Sequence, residues 1–66
     1  MDIGKSIRVA CAMRDMTQES VSKQSNISES TISKLVNGKS ACKQATLELL
    51  AKTFDMAASE FIALGE

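Results

Sequence analysis

The chain contains no proline, no histidine, no tryptophan and no tyrosine, and only two phenylalanines. Each absence excludes something. Without proline no helix is broken from within, and the abundance of Ala, Leu, Met, Lys and Glu beside so few aromatics favours an all-helical bundle. Without histidine, Cys11 and Cys42 cannot complete a tetrahedral zinc site by themselves, so neither a metal nor a cofactor is expected. The longest apolar run is far below the ~18 residues of a membrane span. The opening stretch MDIGKSIRV, with an acid at position 2 and no unbroken apolar core, does not read as a signal peptide. A cytoplasmic protein is therefore expected. In that compartment a small core residue at Cys11 and a free loop thiol at Cys42 are favoured over a disulfide between them.

The same gaps weigh against an enzyme. There is no glycine-rich phosphate loop and no carboxylate cluster, and nine serines stand without a candidate base, so they read as helix caps and surface hydroxyls. Sixty-six residues hardly enclose a cavity, and no catalytic residue is assigned. That length makes one domain, 1–66, burying only roughly 60% of the surface of its unfolded form. A hydrophobic content of 44% excludes a disordered chain. Net charge is also absent, which speaks against nucleic acid until its distribution is considered. Residues 1–43 carry seven basic and four acidic side chains, net +3; residues 44–66 carry one basic and four acidic, net −3. A basic portion joined to an acidic one suits a domain with an anionic partner on one face.

Five short helices follow from the pattern. Ile3, Ile7, Ala10 and Cys11 share one face of a helix over about residues 2–14. Thr17 suits the cap of a second helix reaching about Gln24, with Asn26 as its left-handed stop. Ser28 suits the cap of a third, with Glu29 in the first turn and Asn37-Gly38 at the exit. After the loop KSACK, Leu47, Leu50, Ala51 and Phe54 mark a fourth helix over about 44–53, and Phe61, Ile62 and Leu64 a fifth over about 57–63. Helices 2 and 3 are separated only by SNI, with Ile27 as an apolar plug, which predicts a helix-turn-helix.

Residues 25–40, SNISESTISKLVNGKS, are the informative stretch. On a helical wheel Ile32, Leu35 and Val36 gather on one side; Ser30, Ser33, Lys34 and Asn37 lie opposite, with Glu29 on the flank. A solvated helix usually carries long charged residues in i,i+4 pairs. Here the side chains are short, which allows close approach to a surface, and hydroxyls, a carboxylate and an amine can read base edges in a major groove. A merely solvated polar face remains the alternative at this point.

The ordered run MTQESVSKQSNISESTISKLVNGKS resembles the Cro/cI-type (XRE-like) helix-turn-helix family of phage and bacterial repressors. Thr17-Gln18-Glu19, Val21, Ile27-Ser28, Ser30-Thr31-Ile32-Ser33 and Asn37-Gly38-Lys39 carry the resemblance, and TLELLAKTFDMAASEFI extends it to about residues 3–63. It implies an all-α, five-helix, lambda-repressor-like DNA-binding domain with helix 3 as the recognition helix. Glu29, Ser30 and Lys34 then fall at the principal base-reading positions, with Ser28 and Ser33 as secondary candidates. Gln18, Asn37, Lys39 and Lys43 fall where the family touches phosphates; Thr31 is a turn or backbone contact at best. Lys5, Arg8 and Arg14 are expected to be solvated or distant from the DNA, although any of them could reach a phosphate. Three departures stand out: Cys11 and Val36 replace a familiar Arg–Glu ion pair, Ser25 replaces a core Leu, and Asp55 replaces a Gly after helix 4.

What the resemblance implies is a Cro-like or phage-type repressor in a bacterial or phage-infected host cell, occupying a palindromic operator in double-stranded DNA. Two copies would be needed, whether paired beforehand or only on DNA, and Phe61, Ile62 and Leu64 are the candidate contact surface unless helix 5 simply caps the core. A complete small regulator is expected in preference to a piece of a longer repressor. The alternative class is an antitoxin or protein-interaction module, because the fold alone does not decide what it binds.

Overall fold

The computed structural model describes residues 2–66, which form α1 (Ile3–Arg14), α2 (Gln18–Ser25), α3 (Glu29–Val36), α4 (Gln44–Thr53) and α5 (Ala58–Ala63). No strand occurs among the described residues. Side-chain oxygens start the first three helices: Asp2 accepts from Lys5 N, Thr17 from Ser20 N and Ser28 from Thr31 N, at 3.0, 3.1 and 3.2 Å. Left-handed residues stop the helices: Asp15, Asn26 and Asp55 with φ of 53°, 64° and 57°, and Gly38, just past α3, at 70°. Asn26, Gly38 and Asp55 were legible as such stops; Asp15 is a further one, turning α1 into α2 within three residues. Nothing caps α4 by a side chain, and Ala57 before α5 has no acceptor to offer, so only Glu60 Oε1 closes that end, accepting from Ala57 N at 3.2 Å.

α1 packs on α3 and α5, α2 on α3 and α4, and α4 on α5. At the centre lie Ile7, Ala10, Val21, Ile32, Leu35, Leu47, Leu50, Ala51, Phe54 and Phe61. The two phenylalanine rings stack at 5.8 Å between centroids with 19° between planes, a pairing that contributes about 0.5–1.5 kcal/mol beyond its buried area. This corrects one expectation: Phe61 is 0% exposed and belongs to the core, so it offers nothing to a partner. Ile62 and Leu64 are half-buried against the same core.

The positions of the missing ion pair, Cys11 and Val36, are both half-buried and packed against the core. Ser25 is buried, but it is not simply a lost leucine. Its Oγ donates to Val21 O at 2.6 Å and accepts from Ile27 N at 3.3 Å. Ser22 Oγ donates to Ile27 O at 2.5 Å. Two serines of α2 thus hold both backbone polar groups of the turn residue whose side chain plugs against the core. A leucine at position 25 would add apolar volume and leave the Ile27 N–H without that acceptor.

Arg8 and Arg14 are exposed, as expected, yet each also meets the backbone: Arg8 Nη1 donates to Val36 O at 3.1 Å, at the end of α3, and Arg14 Nε to Phe54 O at 2.8 Å, at the end of α4. Both place a cation where a helix dipole ends negative. Lys5 Nζ reaches Glu66 O at 3.4 Å, a marginal contact on the surface.

Candidate nucleic-acid interface

Eight residues of α3 divide into two faces. Ile32 and Leu35 are buried, 0% and 3% exposed, and anchor the helix on α1 and α2. Glu29, Ser30, Thr31 and Lys34 are exposed, Ser33 half-exposed. Because the anchors sit three residues apart, they fix rotation about the helix axis, and the polar residues are left outward with no freedom to turn in.

The outward groups differ in how far they are already engaged. Ser28 is committed to the cap: its Oγ accepts from Thr31 N and donates to Thr31 Oγ1 at 2.8 Å, leaving one lone pair free. Ser33 Oγ accepts weakly from Asn37 Nδ2 at 3.4 Å. Glu29, Ser30 and Lys34, by contrast, have no side-chain hydrogen bond or ion pair with any described residue. The ion pair found among the described residues is elsewhere, Glu19–Lys23 on α2 at 3.1 Å. A carboxylate, a hydroxyl and an ammonium therefore stand unpaired along one exposed face of a helix that begins at Ser28.

Further polar groups lie at the ends of the two helices. Gln18 opens α2 and is exposed; Thr17 caps Ser20 N, so the amides of Gln18 and Glu19 remain available at that terminus. Glu19 adds negative charge there, but its carboxylate is drawn to Lys23. Asn37 and Lys39 are exposed at the exit of α3, and Lys43 is exposed immediately before α4. All nine residues singled out in the sequence for DNA contacts are thus at the surface, except that Ser33 is half-covered. Seven of them, Ser28, Glu29, Ser30, Ser33, Lys34, Asn37 and Lys39, belong to α3 and its two ends; Gln18 sits on the neighbouring helix and Lys43 after the loop.

What the sequence did not disclose is how α3 is held. Arg8 on the Val36 carbonyl, the serines that fasten the turn, and Gly4 all act from behind. A Cβ at Gly4 would overlap the Val36 carbonyl oxygen, so α1 and α3 meet there at backbone distance. The one available signal was a glycine early in a helix that otherwise has no reason to carry one.

Burial pushes the Cys11 and Cys42 thiols above the ordinary thiol value of 9.0. Both are free thiols and protonated at neutral pH. No group of three His, Cys, Asp or Glu able to hold a metal occurs among the described residues. No helix there is long and apolar enough to cross a membrane.

Two helices joined by a three-residue turn, the second with a dry inner face and an unpaired polar outer one, define a helix-turn-helix domain. The comparison with known families agrees: residues 6–61 match the helix-turn-helix family, and the chain belongs to it, as the resemblance to Cro/cI-type repressors implied. Across all 66 residues it is 38% identical to the competence pilus inhibition repressor of Acinetobacter baylyi, and it spans 60% of that protein's length. No solved structure matches the chain.

Proposed function

We propose that the chain is a sequence-specific reader of double-stranded DNA that acts as a repressor, with α3 entering the major groove. The observation that carries this reading is the unpaired set Glu29, Ser30 and Lys34 on the exposed face of α3. Unpaired charges at a helix surface are commonplace. Three different hydrogen-bonding chemistries on one short face, backed by two buried anchors, suit base edges better than they suit plain solvation. Lys34 Nζ donates to guanine O6 or N7, and Glu29 accepts from cytosine N4. Ser30 adds a hydroxyl that serves either way, and Ser28 and Ser33 contribute the acceptor capacity left over from their contacts in the protein.

Gln18, Asn37, Lys39 and Lys43 contact phosphates and set register without reading sequence. The free amides at the start of α2 strengthen the Gln18 contact. The relative's role as a repressor supports repression over activation, by occupying an operator that polymerase or another regulator would otherwise use. One recognition helix makes few contacts, so two copies bind half-sites roughly 34 Å apart on a palindromic operator. With Phe61 in the core, Ile62 and Leu64 are what α5 and its end retain for such pairing. A phage or prophage regulator in the cytoplasm fits this mode of action.

Zero net charge and two exposed apolar side chains, Met13 at 55% and Leu49 at 47%, favour a second reading, a module that binds a protein partner, as an antitoxin does. Selection of bound duplexes from a random pool at ~100 mM salt separates the two. An inverted repeat with half-sites about 10 bp apart, bound with affinity that falls steeply as salt rises, is the expected result. Recovery of no sequence at all would remove α3 as a specific reader.

A further inference from the structure

At the end of α3 the carbonyls are satisfied from two directions. Gly38 N donates to Leu35 O at 3.2 Å and Lys39 N to Lys34 O at 2.8 Å, the paired closure that a left-handed Gly38 allows. The Val36 carbonyl receives no backbone donor among the described residues; Arg8 Nη1, from α1, supplies its hydrogen bond at 3.1 Å. That same oxygen lies against Gly4, where any Cβ would overlap it. Gly4 and Arg8 are four residues apart and so stacked on one face of α1. One face of α1 therefore grips a single peptide group, immediately before the segment that carries Asn37 and Lys39.

Arg14 provides an internal comparison. Its Nε donates to Phe54 O at 2.8 Å at the end of α4, where Asp55 N to Lys52 O and Met56 N to Ala51 O, both at 3.0 Å, form the same closure. The exit of α4 carries none of the proposed DNA contacts. The two arginines thus perform the same local chemistry at two helix ends, one of them beside the interface.

We infer that Arg8 is a positioning residue for DNA binding: by donating to the Val36 carbonyl held against Gly4, it fixes where Asn37 and Lys39 stand relative to α3. It does so without touching DNA, and the inference rests on the DNA-binding reading above. A guanidinium suits the task because it is always charged and its planar fork loses little freedom on meeting a carbonyl at a helix end. Loss of the donor frees the Val36 peptide, loosens the Gly38 closure and lets Lys39 drift from its phosphate. The register of Glu29, Ser30 and Lys34, set by Ile32 and Leu35, is untouched.

The test begins on the free protein. Arg8→Met keeps the apolar stem and removes the donor; Arg8→Leu, which also has no donor, serves if that variant does not fold. Amide hydrogen exchange at Gly38 and Lys39 should quicken about tenfold, while Asp55 and Met56 beside Arg14 stay as they were. Affinity is then measured on the duplex recovered by selection and on an unrelated duplex. Arg8→Met should weaken both about five- to tenfold, because it is a phosphate that is let go and not a base, and Arg8→Lys should recover most of it. Lys39→Ala added to Arg8→Met should cost little more, since Lys39 has already left its phosphate. Losses that multiply would mean that Arg8 touches phosphate itself and overturn the inference, as would unchanged exchange or an unchanged affinity. Wild-type protein that binds no duplex would bring down the DNA reading and this inference together. Wild type that binds, with an Arg8→Met that binds equally well, brings down this inference alone.

Discussion

A methyl group at position 4 would overlap the Val36 carbonyl, whose oxygen also accepts from Arg8. Alanine is the better helix former by about 0.5–1 kcal/mol, so propensity alone favours Gly4→Ala. The crossing of α1 and α3 decides otherwise. Forcing two backbones apart costs about 1–3 kcal/mol, and Gly4→Ala should lower the unfolding free energy in urea by the difference. A midpoint equal to or above wild type would show that the helices separate freely there. At the interface two lysines should behave in opposite ways. Lys34→Ala should cost about 1–3 kcal/mol on the selected duplex and relax the preference at one base pair per half-site. Lys39→Ala should weaken all duplexes alike and reduce the slope of log affinity against log salt by about 0.9 for each phosphate no longer neutralised. Binding titrations on matched and single-substituted duplexes over a salt series distinguish the two patterns.

The helices themselves are short, eight residues in α2 and in α3, which is below the length at which an isolated helix persists in water. They stand because of their ends and their packing. Thr17 and Ser28 occupy the caps, Asn26 takes the left-handed turn between them, and Ser22 and Ser25 hold both polar groups of Ile27. Ser25→Ala removes the acceptor of the Ile27 N–H and the donor to Val21 O in a buried place, and should cost about 1–2 kcal/mol. Denaturation in urea gives that figure directly. If the turn is the weak point, amide exchange at Ile27 should rise more than at the α4 exit; a uniform rise would mean that Ser25 matters only to global stability. Caps, turn residues and the spacing of apolar positions are all local features, which is why each of these helices is legible without knowledge of the packing.

Across the whole molecule the chain measures 24 × 23 × 20 Å, and its core is one cluster gathered from all five helices. Burial of the two thiols makes that core sensitive to alkali. Their proton affinity is raised in the folded state, Cys11 on α1 and Cys42 in the loop before α4, so the folded chain keeps protons that the unfolded chain releases. The stabilising effect is complete below the ordinary thiol value of 9.0 and is lost as pH climbs through the raised values. Urea midpoints should therefore fall as pH rises above 9.0, and the fall should shrink when both cysteines are replaced by alanine. A pH profile indifferent to those replacements would show that the two thiols are not the source of the alkaline loss.

Sequence by itself determined the five helices, the caps of α2 and α3, three of the left-handed stops, and the division of α3 into a dry face and a polar one. These depend on neighbours within about four positions along the chain, where spacing and side-chain chemistry are decisive. The outward placement of Glu29, Ser30 and Lys34 followed once Ile32 and Leu35 were assigned inward. Only the tertiary structure decided what Phe61, Ser25, Gly4, Arg8 and Arg14 do. Phe61 on α5 is claimed by Phe54, the residue that closes α4, and Arg8 by a carbonyl 28 positions away. An apolar residue near a chain end reads equally well as core or as contact surface, and an arginine reads as solvated, until the partner that satisfies it is known. Such partners come from distant segments brought together by burial of the common core, and no local pattern encodes which carbonyl, ring or backbone will be waiting.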